Sequence, residues 1–349
     1  MQNLLSLSRP QLRQWLTQTL DEPAFRADQL MQWIYGRGVL DFGQMSNVAK
    51  SLRSKLEQHA EIRLPEIAAG QTSKDGTRKW VLKLEDPKLQ AVEAVYIPED
   101  DRATLCISSQ VGCAMACTFC STGFQGFNRN LSVAEIIGQV WFANSQLRAP
   151  GTWNVDNRNI SNVVFMGMGE PLANFEPVAT ALDILLDDYG FGLSKRRVTV
   201  STSGLVPFMD RLNERVDVAL AVSLHAPNNA LRDELVPINK KYPIEALMEA
   251  CWRYIEQGDR QKKHVMFEYV MLDGVNDHPD HARQLARLLK DFPAKVNLIP
   301  FNPFEGSGFV KSRRDAVLGF QRVLLNAGIK ATVRKTRGDD IDAACGQLV

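Results

Sequence analysis

No apolar run in this chain approaches the roughly 18 to 20 residues needed to cross a bilayer. The opening "MQNLLSLSRPQLRQWLTQTL" lacks a basic start, a continuous apolar stretch and a small-residue cleavage site, so it does not read as a secretory signal. No internal repeat or low-complexity tract is present. Neither sign of charge is in excess: 41 Lys and Arg face 40 Asp and Glu. A net charge of +1 therefore leaves nucleic-acid binding to a local basic surface rather than to the whole molecule. Cysteine is scarce, at six residues. These absences together predict a cytoplasmic protein, where thiols stay reduced unless they perform chemistry. The 349 residues, 45% hydrophobic and 23% charged, suffice for one large α/β domain and a smaller appendage.

Residues 1–65 carry helical patterns and no strand signal. Ser8 can cap a helix that starts near Pro10, with Leu12, Trp15, Leu16 and Leu20 along one stripe. "FRADQLMQWIY" and the series Val48, Leu52, Leu56 supply two further helices, and the region reads as an accessory domain that could bind RNA. Over 66–100, "KWVLKL" and "AVEAVYI" alternate with period two and predict a hairpin or two short strands. Glu93 lies in the second of these strands, where a carboxylate among apolar neighbours ordinarily points to solvent at a sheet edge. From 101 to 349, apolar strand-like runs ("TLCIS", "NVVFMG", "RVTVST", "VALAVSL", "HVMFEYVML", "KVNLIP") alternate with helical stretches. Ser132 and Glu135 form a capping box for one helix; others cover 176–188, 244–256, 279–291 and 314–327. This alternation predicts a parallel sheet covered by helices, curved or barrel-like.

The cysteines carry the chemistry. Cys113, Cys117 and Cys120 form C-x3-C-x2-C in a glycine-flanked loop, with Cys106 upstream and Cys345 near the end of the chain. Iron–sulfur clusters usually take four cysteines. Three local ligands would leave one iron open, and an open position distinguishes a catalytic metal site from a structural one. A zinc site completed by Cys106 or a histidine, or three buried thiols, are the alternatives. The paired C-x2-C motifs of common zinc sites are missing. Cys251 sits on the apolar side of a helical pattern and reads as a small core residue.

C-x3-C-x2-C directly after the first strand of a βα array resembles the radical S-adenosylmethionine superfamily. More narrowly, "CISSQVGCAMACTFCSTGFQGFNRNL", "VVFMGMGEPL", "VSTSG", "SLHAPN", "RDELVPINKKYPIE", "NLIPFNPF" and "VRKTRGDDIDAACGQL" resemble the RlmN family over essentially the whole chain. The resemblance implies a partial (β/α)6 barrel with a small N-terminal helical domain. It also implies methylation of adenine carbon-2 in 23S ribosomal RNA and at adenine 37 of transfer RNA. Cys113, Cys117 and Cys120 would hold one 4Fe–4S cluster. Gly169, Glu170, Ser201, Ser223, Leu224, His225 and Asn302 would bind S-adenosylmethionine, two molecules per turnover. By the same resemblance Cys345 carries the methyl group, Cys106 resolves an enzyme–RNA adduct, and Glu93 accepts the carbon-2 proton. An external electron donor and a thiol reductant would complete the cycle of a monomer.

Basic clusters recur at "SKRR" (194–197), "NKK" (239–241), "RQKK" (260–263), "KSRR" (311–314) and "RKTR" (334–337). Singly each is a solvated face; together around a barrel mouth they could follow a phosphate backbone. Two rivals remain at this point: a Cfr-type enzyme acting on carbon-8 of the same adenine, and a non-catalytic zinc-stabilised RNA-binding protein.

Overall fold

The computed structural model describes the chain except residues 86–87, 89, 149–158, 257–263, 345 and 349. At the N-terminus, helix α1 (Arg9–Thr19) starts where the Gln11 side chain accepts the Ser8 N–H at 2.9 Å, and it buries Leu12 and Leu16. Helices α2 (Arg26–Met31) and α3 (Lys50–His59) complete the unit, with Leu52 and Leu56 turned inward. The region is not strand-free: β1 (Gln2–Asn3) and β2 (Ala60–Glu61) pair in parallel and tie its two ends together. Two-residue strands are too short to leave a periodic trace in sequence.

The expected hairpin exists, with one strand more. Strands β3 (Glu66–Thr72), β4 (Arg78–Lys83) and β5 (Ala91–Pro98) form an antiparallel meander. Strand β3 is exposed along its whole length, which is why no alternation announced it. Next, β6 (Ala103–Cys106) pairs antiparallel with β5, so the meander continues into the main sheet. The short ribbon β7 (Gln110–Gly112) and β8 (Phe127–Asn130) brackets the cysteine loop and its one-turn helix α4 (Ser121–Phe124).

The alternation predicted downstream follows. Helix α5 (Val133–Gln146), with its Ser132–Glu135 capping box, leads to β9 (Asn162–Phe165). Then come α6 (Phe175–Leu186), β10 (Val198–Thr202), α7 (Val206–Arg215), β11 (Ala219–Ser223), α8 (Asn229–Leu235) and α9 (Ile244–Glu256). Strand β12 (Val265–Met271), α10 (Pro279–Leu288), β13 (Ala294–Pro300), α11 (Arg314–Asn326) and β14 (Lys330–Val333) complete the array. The sheet runs β14-β13-β12-β11-β10-β9-β6-β5-β4-β3. Strands β6 and β9 to β14 are mutually parallel, and each buries apolar residues, the edge strand β14 only Ala331. Cys251 is fully buried in α9.

The order is linear, so hydrogen bonding leaves the barrel open between β14 and β3. The chain after β14 reaches back across that opening. Asp75, in the β3–β4 turn, accepts the Gly338 N–H at 3.3 Å and lies 3.8 Å from the Arg337 guanidinium. Lys74 N–H donates to Asp340 at 3.3 Å. Lys79 Nζ, on β4, donates to the Asp342 carbonyl at 3.1 Å. The C-terminal tail is thus clasped by the far end of the sheet.

Candidate active site

The parallel strands end at one rim, where a barrel collects its ligand contacts. The cysteine loop is folded against this rim by close backbone approaches. Gly112 has φ 70°, and a Cβ there would sit 1.8 Å from the Gly126 carbonyl oxygen, so only glycine lets β7 and β8 meet. Cys113 N–H donates to that same oxygen at 2.9 Å. The Thr118 N–H bonds the Leu235 carbonyl at the end of α8 (3.2 Å).

Cys113, Cys117 and Cys120 line one cavity of about 160 Å³, far more room than a single water occupies. Burial pushes the Cys113 thiol up to about 12 and the Cys117 thiol higher still. Such thiols give up their protons to a positively charged centre, not to water. Among the described residues no three His, Cys, Asp or Glu side chains converge closely enough to hold a single metal ion. Three sulfurs spread around one cavity instead suit a multi-iron cluster, where each thiolate binds its own iron. The donor set fits a cluster better than it fits zinc.

Beside the cysteines, the "MGMGEP" turn is pinned under the loop by Ser108, whose Oγ accepts the Met168 N–H at 2.9 Å. Gly169 has φ 96°, and a Cβ would lie 2.5 Å from that of Gln110. Glu170 is buried, with Oε1 accepting Leu172 N–H (3.1 Å) and Oε2 accepting Ser203 N–H (2.7 Å). Burial raises its pKa against these hydrogen bonds, so a cation placed against it would be welcome. Gly169, Glu170, Ser201, Ser223 and His225 all line the cavity. Leu224 does not; it is buried behind, its N–H donating to the Glu268 carbonyl at 3.1 Å. Asn302 lines a small adjoining cavity that shares Ile97, Arg334, Ala343 and Ala344 with the main one.

His225 adopts φ 58°, and its Nδ1 accepts the Val270 N–H at 3.0 Å. Its ring lies edge-on to Phe119. Burial, helped by the Arg232 charge, pushes it down to about 3, so the ring is neutral at physiological pH. With Nδ1 accepting, the proton sits on Nε2, which makes His225 a hydrogen-bond donor. Ser203 and Glu268 also line the cavity and were not singled out by sequence. Ser203 shares "VSTSG" with Ser201, a signal that was at hand; Glu268 is hidden inside the apolar run of β12. Burial raises the Glu268 pKa, opposed by the Arg334 charge and an Asn297 hydrogen bond at 2.8 Å.

Glu93 departs from the ordinary expectation of a solvent-facing edge carboxylate. Strand β5 lies inside the sheet, Glu93 is 2% exposed, and its Oε1 is 3.1 Å from Lys79 Nζ, itself buried. Removing one partner of a buried ion pair strands the other. Lys79→Met should therefore lower the unfolding free energy by about 3 kcal/mol or more, read from chemical-denaturation midpoints. Cys106, at the end of β6, lines the main cavity together with Ala344 and Gly346 of the tail. The tail is held there by Ser121 N–H on the Gly346 carbonyl and Thr122 Oγ1 on the Leu348 carbonyl, each at 2.8 Å. Cys345 lies outside the described residues.

The basic clusters divide by topology. Lys195, Arg196 and Arg197 immediately precede β10, so they sit at the end of the sheet opposite the cavity. The clusters at 239–241, 311–314 and 334–337 follow β11, β13 and β14 and belong to the cavity end. "RQKK" falls outside the described residues.

Comparison with known proteins agrees with this geometry. Residues 2–62 match the ribosomal RNA large subunit methyltransferase N-terminal domain, and residues 107–286 match the radical SAM superfamily. The chain is similar to a radical SAM methyltransferase from Sphaerobacter thermophilus, at 41% identity and TM-score 0.90, covering 100% of this chain and 99% of that one. A more distant likeness is to Streptococcus suis SuiB bound to precursor peptide SuiA, at 12% identity and TM-score 0.48, covering 66% and 49% of the two chains. Two family matches in order, a full-length relative and a cysteine-lined cavity at the strand ends lead to one assignment: the chain belongs to the RlmN family of radical S-adenosylmethionine methyltransferases.

Proposed function

We propose that this enzyme methylates carbon-2 of adenine, in 23S ribosomal RNA and at adenine 37 of transfer RNAs, by a two-cysteine mechanism. The observation that carries the reading is a single cavity lined by Cys113, Cys117, Cys120 and Cys106 together with Ala344 and Gly346, the neighbours of Cys345. When bound, the cluster with its open iron supplies one-electron cleavage of S-adenosylmethionine. Gly169 and Glu170 hold the methionyl amine, the buried carboxylate accepting from the ammonium. Ser201, Ser223, His225 and Asn302 hold the remainder, with His225 donating from Nε2, while Leu224 supports this rim from behind the cavity wall.

Carbon-2 of adenine is electron-poor and offers no nucleophile, so the protein brings the carbon on its own sulfur. Cys345 takes up a methyl group from one S-adenosylmethionine; a second provides for loss of a hydrogen atom from that S-methyl. The resulting carbon bonds to carbon-2 and joins RNA to enzyme. The adduct gives up one electron, which the cluster would take back when bound, and Glu93, whose Oε1 lies 3.1 Å from Lys79 Nζ, accepts the carbon-2 proton. The Cys106 thiolate attacks the Cys345 sulfur, the sulfur–carbon bond breaks with its electron pair passing into the base, the methylene carbon takes up a proton to become methyl, and methylated RNA leaves. The Cys106–Cys345 disulfide is then reduced by an external thiol, as a cytoplasmic setting allows. An external electron donor reduces the cluster, and the enzyme acts as a monomer.

The test is anaerobic purification followed by incubation with S-adenosylmethionine, reductant and an RNA fragment. Brown protein with iron and sulfide, methylated RNA and 5′-deoxyadenosine are expected; colourless zinc-loaded protein giving no 5′-deoxyadenosine would overturn the reading. RNA binding has its own prediction. Replacing exposed Lys311, Arg313 and Arg314 with Gln should weaken RNA binding and flatten its log–log salt slope by about 2 to 3. The matching change at Lys195, Arg196 and Arg197 should leave both nearly unchanged, as filter binding across a salt series would report.

A further inference from the structure

Arg232 is fully buried, on helix α8, yet none of its four hydrogen-bond acceptors carries a charge. Nε donates to the Leu224 carbonyl (3.1 Å), and Nη1 donates to Asn239 Oδ1 (2.8 Å). Nη2 donates to the carbonyls of Ser203 (2.7 Å) and Ser223 (3.1 Å). The neighbouring carboxylate of Asp233 faces Asn239 Nδ2 instead, at 2.6 Å. A guanidinium withdrawn from water with no carboxylate bonded to it is costly; here its direct hydrogen bonds are all to neutral carbonyls, and Asp233 acts only through space. Such a residue is expensive to keep, and three of its four hydrogen bonds go to the rim already described.

Those contacts converge. Ser203 and Ser223 stand at the ends of the neighbouring strands β10 and β11, which pair in parallel. One nitrogen, Nη2, bridges their carbonyls. Ser203 passes the constraint on: its N–H donates to Glu170 Oε2 at 2.7 Å, and it lines the same cavity as Cys117. Leu224, held by Nε, precedes His225, whose left-handed backbone fixes where its ring donates. The same helix end that carries Arg232 receives the cysteine loop, through Thr118 N–H on the Leu235 carbonyl. A planar, rigid fork suits this bridging in a way a lysine ammonium does not.

We infer that Arg232 is the positioning residue of the S-adenosylmethionine site: its fork locks the β10 and β11 ends into one rim, and its fixed charge behind Cys117 favours the reduced cluster. The inference rests on the cluster and S-adenosylmethionine assignment, and does not depend on which RNA carbon is methylated. Reduction adds an electron to the cluster, and a buried positive charge nearby, poorly screened, makes that addition easier.

Two substitutions separate the two roles. Arg232→Lys keeps the charge and loses the fork; its S-adenosylmethionine Kd should rise at least about tenfold, with the cluster midpoint potential held near wild type. Arg232→Met loses both, so its affinity falls and its potential, read by spectroscopically monitored redox titration, becomes more negative. Arg232→Gln, neutral but able to reach one carbonyl, serves for the potential should Arg232→Met not fold. A lysine variant that binds S-adenosylmethionine as wild type does would overturn the fork, and a neutral variant with wild-type potential would overturn the charge. Wild-type protein that binds no cluster would instead refute the site assignment itself, a different failure.

Discussion

Cys106→Ala, incubated with RNA under turnover conditions, should accumulate RNA covalently attached to the protein, approaching one RNA per chain, with multiple turnover lost. The reason is order: attachment needs one sulfur and release needs a second. Cys106 sits at the end of β6 in the same cavity as the tail residues Ala344 and Gly346, so its removal leaves the cluster ligands and the S-adenosylmethionine rim untouched. The trapped species would run as a slow, nuclease-sensitive band on a denaturing gel. Cys345→Ala should give no such band, because it removes the sulfur that attaches. Normal turnover by Cys106→Ala would refute the two-cysteine mechanism for this protein.

The second large effect is at the cluster. Replacing Cys113, Cys117 or Cys120 with Ala should each eliminate bound iron and lower 5′-deoxyadenosine formation by on the order of a thousandfold or more, as when interdependent catalytic groups lose a member. Cys251→Ala is the control, since that thiol is buried in α9 and does not line the cavity. It should cost only the modest penalty of a small core deletion. Iron retained in all three cluster variants would contradict the assignment of these ligands.

How much of this was legible in the sequence depended on the length and burial of each feature. The parallel strands announced themselves because each is an apolar run between helical patterns, and capping residues such as Ser8 and Ser132 marked helix starts. Strand β3 escaped because every residue in it is exposed, and β1 and β2 because two residues have no period. Helix α8 has only seven residues, and its key side chain, Arg232, looks in sequence like any surface arginine. Burial of a charge is a tertiary fact: nothing local says that Arg232 faces the rim or that Glu93 meets Lys79 across two strands. The basic cluster at 194–197 shows the same limit, since only strand direction reveals that it precedes β10 and lies at the end of the sheet opposite the cavity. The candidate cysteines and glycines were readable because their spacing is itself the requirement.

The central claim is the carbon that receives the methyl group. The most direct measurement is mass spectrometry of nucleosides from RNA treated with the purified enzyme, compared with synthetic 2-methyladenosine and 8-methyladenosine. The account predicts 2-methyladenosine, with incorporation lost in Cys345→Ala. Finding 8-methyladenosine, or no methylated adenosine from cluster-loaded protein that cleaves S-adenosylmethionine, would contradict it.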